Sequence, residues 1–192
     1  MEKNRLEAFS DGVLAIIITI MVLEMKVPHG ADWGALKSVL PVFLSYVLSF
    51  IYVGIYWNNH HHLLKACRLV NGGILWANLH LLFWLSLFPF VTGWMGENHF
   101  TSLPSALYGA VLLLAAIAYY ILQRLIVNEQ GGCDSKLARA LGKDWKGKLS
   151  PLLYAAGIGV SFVRPWIAGC IYVFVAMMWL VPDKRIERVV QE

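Results

Sequence analysis

Apolar residues fill long stretches of this chain, and the charged residues collect in the short gaps between them. A helix needs about 20 predominantly apolar residues to cross the hydrocarbon core of a bilayer. The pattern therefore predicts an all-α integral membrane protein with six transmembrane helices in a single domain, residues 1–192. The predicted spans are residues 9–27, 41–59, 74–94, 103–127, 151–163 and 165–181.

Helix-breaking residues mark several of these boundaries. Pro28-His29-Gly30 ends the first span, because proline disfavours helix in the residue before it and glycine permits a turn. Residues 32–40 are typical of a short interfacial helix capped by Asp32. Arg164-Pro165 interrupts the last apolar stretch, which is too long for one span, and favours two short helices joined by a hinge.

The distribution of basic residues predicts the orientation. With six spans and the N-terminus inside, the cytoplasmic segments hold all but three of the 16 Lys and Arg residues. Such a bias is typical of membrane proteins. It predicts a multi-pass protein of the cell membrane with both termini in the cytoplasm. The three exceptions are Lys26, Lys37 and Arg164.

The N-terminal apolar run superficially resembles a signal peptide. It contains Asp11 and ends at Glu24-Met25-Lys26 without a small-residue cleavage site. We therefore expect it to be a retained transmembrane helix.

Composition narrows the possible functions further. Only 15% of the residues are charged, and the net charge of +4 is explained by basic cytoplasmic segments, so we expect no nucleic-acid partner. Cys67, Cys133 and Cys170 are odd in number and scattered, so they predict no disulfide framework. The sequence has no Gly-rich phosphate loop and no nucleophile–base pair with supportive spacing, which argues against an enzyme. We expect no cofactor and no catalytic residue.

The segment 128–150 is rich in basic residues. It suits either a basic amphipathic helix lying against anionic headgroups or plain positive-inside anchoring, and we favour the second. The basic residues are Lys136, Arg139, Lys143, Lys146 and Lys148, around Leu137, Leu141 and Trp145.

The first span carries unusual chemistry. At about 100° per residue, Ile16 shares one aliphatic stripe with Gly12, Ile20, Leu23 and Val27. By itself, this stripe could face lipid, protein or a pore.

Polar residues lie away from that stripe. Ser10 and Asp11 point elsewhere, and ionisable residues inside a span are costly and usually functional. We expect Asp11 to meet polar groups on neighbouring helices, with Arg5 reaching the same cluster, although each contact could be simple packing. Candidate partners are Asn58, Asn59, His60, His61, His62, Asn78, His80 and Ser86.

The three consecutive histidines at 60–62 do not predict a metal site. Neighbouring residues on a helix point about 100° apart, so the three side chains cannot chelate one ion from a regular helix. Hydrogen bonding or pH sensing by one of them is the better interpretation.

Three motifs resemble the lysosomal potassium channel called transmembrane protein 175 and its prokaryotic relatives. The first is Arg5-x-x-x-Phe9-Ser10-Asp11 with the aliphatic helix after it. The second is Trp57-x-x-His60-His61. The third is the stretch 78–90, Asn-Leu-x-Leu-Leu-Phe-x-x-Ser-Leu-x-Pro-Phe. The resemblance extends from the N-terminus to about residue 90.

This resemblance implies a potassium-permeable, potassium-preferring channel. It implies a homotetramer in membrane lipid, around a central pore that the first helix lines. By position, the hydrophobic constriction would be Ile16, Ile20 and Leu23, with Thr19 close to the ion path. The polar network that holds the first helix would be Arg5, Phe9, Ser10, Asp11, Trp57, His60 and His61.

Two other functions stay open. A proton-coupled carrier or proton pathway would use Asp11 and the His60–His62 cluster as a relay. A membrane scaffold that conducts nothing would share the same pattern of spans.

Overall fold

The computed structural model describes residues 3–67, 69–129 and 144–180, which form seven helices. In chain order they are α1 (Lys3–Leu23), α2 (Trp33–Ala66), α3 (Gly72–Ser86), α4 (Phe88–Glu97), α5 (Ser102–Glu129), α6 (Trp145–Ser161) and α7 (Pro165–Leu180).

The first helix is displaced toward the N-terminus relative to the predicted span 9–27. It begins at Lys3, because no helix breaker stands between that residue and the apolar run, and it ends at Leu23. Beyond it, Gly30 adopts a φ of 133°. Glycine reaches this conformation without the steric cost that other residues meet.

The second helix corrects the prediction of a separate interfacial helix at 32–40. A single helix of 34 residues runs from Trp33 to Ala66 and includes Pro41. This proline removes only one backbone donor, and helices in membranes tolerate such a loss when neighbouring groups compensate. The predicted cap is confirmed, since the Asp32 side chain accepts a hydrogen bond from the Ala35 amide.

The segment predicted as one span at 74–94 is divided. Helices α3 and α4 are separated by Leu87, which keeps a right-handed conformation. Pro89 stands in the first turn of α4, where its missing amide hydrogen costs little. Together the two helices make one apolar segment of 26 residues.

The last two helices turn at the expected hinge, since α6 ends at Ser161 and α7 begins at Pro165. Helix α6 starts before the predicted residue 151, because the Asp144 side chain caps it by accepting from the Gly147 amide. The basic segment 128–150, for which we favour plain positive-inside anchoring over an amphipathic helix, falls largely on residues 130–143, outside the described residues. Lys146 and Lys148 lie in the first turns of α6.

Within the described residues, four helical segments are long and apolar enough to cross a membrane: Lys3–Leu23, Trp33–Ala66, Gly72–Glu97 and Ser102–Glu129. Helix α7 is apolar but shorter, with 16 residues.

A tyrosine-rich core joins α2, α5 and α7. Tyr52 donates a hydrogen bond of 2.6 Å to the carbonyl of Tyr172, and Tyr172 donates one of 3.2 Å to the carbonyl of Ser105. The Tyr172 ring lies so close to Gly109 and Gly157 that a methyl group at either position would collide with it. Small residues therefore let these helices approach, as is usual in membrane bundles.

Candidate functional site

Helix α1 has two distinct faces. The buried face points into the bundle and consists of Leu6, Ser10, Leu14, Ile17 and Met21. On the other side, Ile16, Ile20 and Leu23 are 59%, 40% and 74% exposed. We call these three residues the aliphatic stripe. The chain thus presents an apolar surface along α1 that no other described residue covers.

Thr19 lies beside the aliphatic stripe and is also exposed. Its hydroxyl donates a hydrogen bond of 2.9 Å to the carbonyl of Ala15, one turn earlier. The hydroxyl oxygen keeps lone pairs that can accept a donor or contact a cation.

Ser10 fastens the buried face of α1 to α3. Its hydroxyl donates to the Leu6 carbonyl at 2.8 Å and accepts from Nδ2 of Asn78 at 3.0 Å. Oδ1 of Asn78 lies 2.6 Å from Nε2 of His60 on α2. Because a carbonyl oxygen only accepts, this arrangement assigns the proton to Nε2 of His60. One fully buried asparagine therefore links three helices.

Asp11 fastens a second side of α1 to α2. Its Oδ1 accepts a hydrogen bond of 3.0 Å from Nε1 of Trp57. The Trp57 ring stacks on His61, with ring centroids 6.1 Å apart and an interplanar angle of 22°. Unlike Ser10, Asp11 is exposed, so this contact lies at the edge of the bundle.

The structure therefore divides the predicted network into two separate groups. Ser10 meets His60 through Asn78, and Asp11 meets Trp57, which contacts His61. No hydrogen bond joins Asp11 to a histidine among the described residues.

Arg5 and Phe9 belong to neither of these two groups. Both side chains are exposed, and Arg5 makes no hydrogen bond or ion pair with any residue in the described ranges. Phe9 lies at a helical angle close to that of Ile16, so it extends the apolar surface of α1.

The sequence predicts Asn78 only as one of several candidate partners of Asp11. In the structure, Asn78 instead connects Ser10 to His60. Its signal was a carboxamide in an otherwise apolar segment, where a polar group needs a partner. No local pattern indicates that Asn78 bonds Ser10 and His60 rather than Asp11.

An ion pair at the opposite end of α1 was not predicted. Nζ of Lys26 lies 2.7 Å from Oε1 of Glu97, at the end of α4. The hydrogen bond to Glu97 and the charge of its carboxylate raise the pKa of Lys26. Both side chains are well exposed, so water screens the attraction.

The histidines at 60–62 point in different directions, as helix geometry requires. His60 turns to Asn78, His61 stacks on Trp57, and the rings of His61 and His62 meet edge to face at 5.7 Å. Within the described part of the chain, no three His, Cys, Asp or Glu side chains are arranged to hold a metal ion.

Comparison with known proteins places this geometry in a family. The sequence model of the endosomal/lysosomal potassium channel TMEM175 matches residues 5–89, which include both anchored sides of α1. A potassium channel of Chryseobacterium sp. (strain P1-3) is 57% identical over 192 residues, which cover all of both chains. The chain belongs to the TMEM175 family.

A solved TMEM175 structure supports the same assignment. It is the crystal structure of a lysosomal potassium-selective channel TMEM175 homolog from Chamaesiphon minutus, with a TM-score of 0.82 and 26% identity. The match covers 95% of this chain and 98% of that one. The TMEM175 fold thus extends well beyond the part of the sequence that showed a resemblance.

A human TMEM175 relative carries a different functional name. The human endosomal/lysosomal proton channel TMEM175 is 39% identical over 84 residues, which are 35% of this chain and 17% of that protein. Membership of the TMEM175 family, together with four long apolar segments, makes this chain a multi-pass membrane protein and not an enzyme.

Proposed function

We propose that this protein is a potassium-permeable, potassium-preferring channel whose pore is formed by α1. The observation that carries the proposal is the division of α1 into an anchored face and an open aliphatic stripe. The Chryseobacterium relative, which is named a potassium channel, matches the chain from end to end. The Chamaesiphon relative is described as potassium-selective.

The proposed assembly is a homotetramer with four copies of α1 around the axis. A stripe of isoleucine and leucine exposed on one chain needs lipid or protein against it. If four stripes meet at the axis, Ile16, Ile20 and Leu23 form successive rings. The aliphatic stripe then lines the pore, and Thr19 places a hydroxyl oxygen close to the ion path.

The proposed topology has six spans in one domain, with both termini in the cytoplasm. Helices α3 and α4 together make the third span, and α6 and α7 make the last two. Lys146 and Lys148, at the start of α6, would then lie on the cytoplasmic side, as the positive-inside rule favours.

A ring of aliphatic side chains can close a pore without plugging it. Water leaves a narrow apolar constriction, and an ion cannot shed its hydration shell cheaply there. Conduction then requires α1 to rotate or move outward so that Ile16, Ile20 and Leu23 retreat from the axis.

The polar anchors set the starting position for that movement. Asn78 and Trp57 hold the first half of α1 at Ser10 and Asp11. Near its other end, α1 packs Met21 beside Thr92, and the exposed ion pair of Lys26 follows three residues after the helix ends. We infer that the end near Leu23 moves more than the end near Ser10.

A proton pathway is the second candidate, because the human relative is named a proton channel. A relay through Asp11 and His60 would need a hydrogen-bonded path between them. In the described residues these side chains belong to separate groups, and Asn78 is an amide that titrates at neither atom. The relay predicts that Asp11→Asn abolishes transport, whereas the channel predicts that potassium flux persists, since Asn keeps an acceptor oxygen for Trp57.

Potassium flux from proteoliposomes tests the proposal. We expect Ile20→Ala and Ile16→Ala to widen the constriction, raising flux and lowering the preference for potassium over sodium. Ile117→Ala is the matched control, because Ile117 on α5 is 39% exposed and Ile20 is 40% exposed. Equal flux and selectivity in all three variants would rule out the pore assignment.

A further inference from the structure

A cavity of about 50 Å³ lies between α2, α5, α6 and α7, and no residue of α1 lines it. Aromatic rings form much of its wall: Tyr52, Tyr56, Tyr119, Tyr120, Tyr154 and Trp179. Since one water needs about 10–15 Å³ of such volume, the cavity holds a few waters or an organic group of about four non-hydrogen atoms.

Two polar side chains that line this cavity make no hydrogen bond to another described residue. Gln123 is only 7% exposed, and its carboxamide makes no hydrogen bond to any described residue. Tyr56 is 8% exposed, and its hydroxyl likewise has no hydrogen-bond partner among the described residues. The polar atoms of these two side chains are not among the sealed, unpaired atoms of the described residues, so they are accessible and can bond an occupant of the cavity.

The described residues that line the cavity carry a negative charge. Asp144 is the one carboxylate among the described residues that line the cavity. Its Oδ1 accepts a hydrogen bond of 2.9 Å from the Gly147 amide, and a carboxylate can accept several more. The lining includes no lysine or arginine from the described ranges.

Two basic side chains lie over aromatic rings that line this cavity. The Arg124 guanidinium lies 5.1 Å from the centre of the Tyr120 ring, and Nζ of Lys146 lies 5.9 Å from that of Trp179. Neither residue lines the cavity. The two basic side chains contact Tyr120 and Trp179, and not the rings of Tyr52, Tyr56, Tyr119 and Tyr154, which also line the cavity.

We propose that this cavity binds a small organic ammonium ion. Its nitrogen donates to the Asp144 carboxylate and to Oε1 of Gln123, and the tyrosine rings surround its carbon atoms. Aromatic faces attract such cations, most strongly where water is excluded. A bare potassium ion fits less well, because it is held by several oxygen ligands and most of this wall is ring carbon.

The cavity borders the part of α2 that holds α1. The Tyr119 hydroxyl donates a hydrogen bond of 3.2 Å to the carbonyl of Asn59, the residue before His60. An ammonium ion in the cavity therefore contacts the same segment of α2 that bonds Asn78.

Binding of propylammonium to the purified full-length protein tests this proposal, with 1-propanol as the neutral probe of equal size. Calorimetric titration at constant ionic strength should show saturable binding of propylammonium and none of propanol. The small size of the probe limits Kd to roughly 40 µM or weaker.

Two variants locate the site. Asp144→Asn removes the charge but keeps a good helix cap, and it should weaken binding at least tenfold. Asp32→Asn is the matched control, since Asp32 caps α2 in the same way, far from this cavity, and it should leave Kd unchanged. Ala116→Leu fills the cavity from its wall and should abolish binding.

Three outcomes would overturn the proposal. They are no saturable binding of propylammonium to the wild-type protein, equal binding of propanol, and unchanged affinity in Asp144→Asn. Because Asp144→Asn preserves the cap, the test stands even if Ala116→Leu does not fold.

Discussion

The indole Nε1 of Trp57 donates a hydrogen bond of 3.0 Å to Oδ1 of Asp11, and this contact joins α2 to the polar side of α1. The bond spans 46 positions in sequence and lies at the edge of the bundle. It fixes the rotation of α1 about its axis, because Asp11 and Ile16 point in different directions on the same helix. The rotation of α1 determines which residues face away from the bundle.

Trp57→Phe keeps the aromatic ring and its stacking on His61 but removes the N–H donor. We expect the free energy of unfolding to fall by about 1 kcal/mol, a typical value for one hydrogen bond at a partly exposed site. Thermal unfolding in detergent measures the change. Trp76→Phe is the control, since Trp76 is 75% exposed and makes no hydrogen bond within the described ranges; equal destabilisation by both variants would contradict a specific role of the Trp57 N–H.

Asn78→Leu should destabilise the protein more than Ser10→Ala does. The leucine leaves the buried His60 N–H without an acceptor, and such a loss costs about 1–3 kcal/mol. Ser10→Ala leaves one N–H of Asn78 unpaired, while Asn78 and His60 remain bonded. The same unfolding assay checks the order.

The double variant Ser10→Ala/Asn78→Leu provides a sharper criterion. Because both residues belong to one group, we expect its loss of stability to be smaller than the sum of the single losses. Strict additivity would mean that the two side chains act independently.

Gly109→Ala should prevent correct packing of α5 against α7, because the added methyl group collides with the Tyr172 hydroxyl. We expect little folded protein, judged by the monodisperse peak in size-exclusion chromatography. Gly169→Ala is the control, since open space surrounds that position. Tyr172→Phe removes only the nearest colliding atom and should restore Gly109→Ala at most in part, because the ring carbon Cζ still lies too close to the added methyl group. Equal loss of folded protein in Gly169→Ala would place the cause elsewhere.

The periodicity of α1 was sufficient to place Ile16, Ile20 and Leu23 on one stripe, because helix geometry alone sets the angle between residues. Whether that stripe is exposed depends on the packing of the other helices. The existence of long apolar helices and the cap at Asp32 were likewise local properties. By contrast, the partners of Ser10 and Lys26 lie 68 and 71 positions away, so no local pattern could single them out.

The starts of two helices were also predicted wrongly from the sequence. The hydrophobic pattern predicts spans that start at residues 41 and 151, but Pro41 and Pro151 lie inside longer helices. Pro removes one donor and crowds one carbonyl, and whether that ends a helix depends on the packing around it. That packing is a tertiary property.

Cysteine accessibility during potassium flux tests most directly whether Ile16, Ile20 and Leu23 line an ion pore. In a background with Cys67, Cys133 and Cys170 replaced by serine, silver ions added to the water should block flux through Ile20→Cys and Leu23→Cys. Flux through Ile117→Cys should continue, because that position is equally exposed but lies on another helix. If silver fails to block the two stripe variants, or blocks Ile117→Cys to the same extent, α1 does not line the pore.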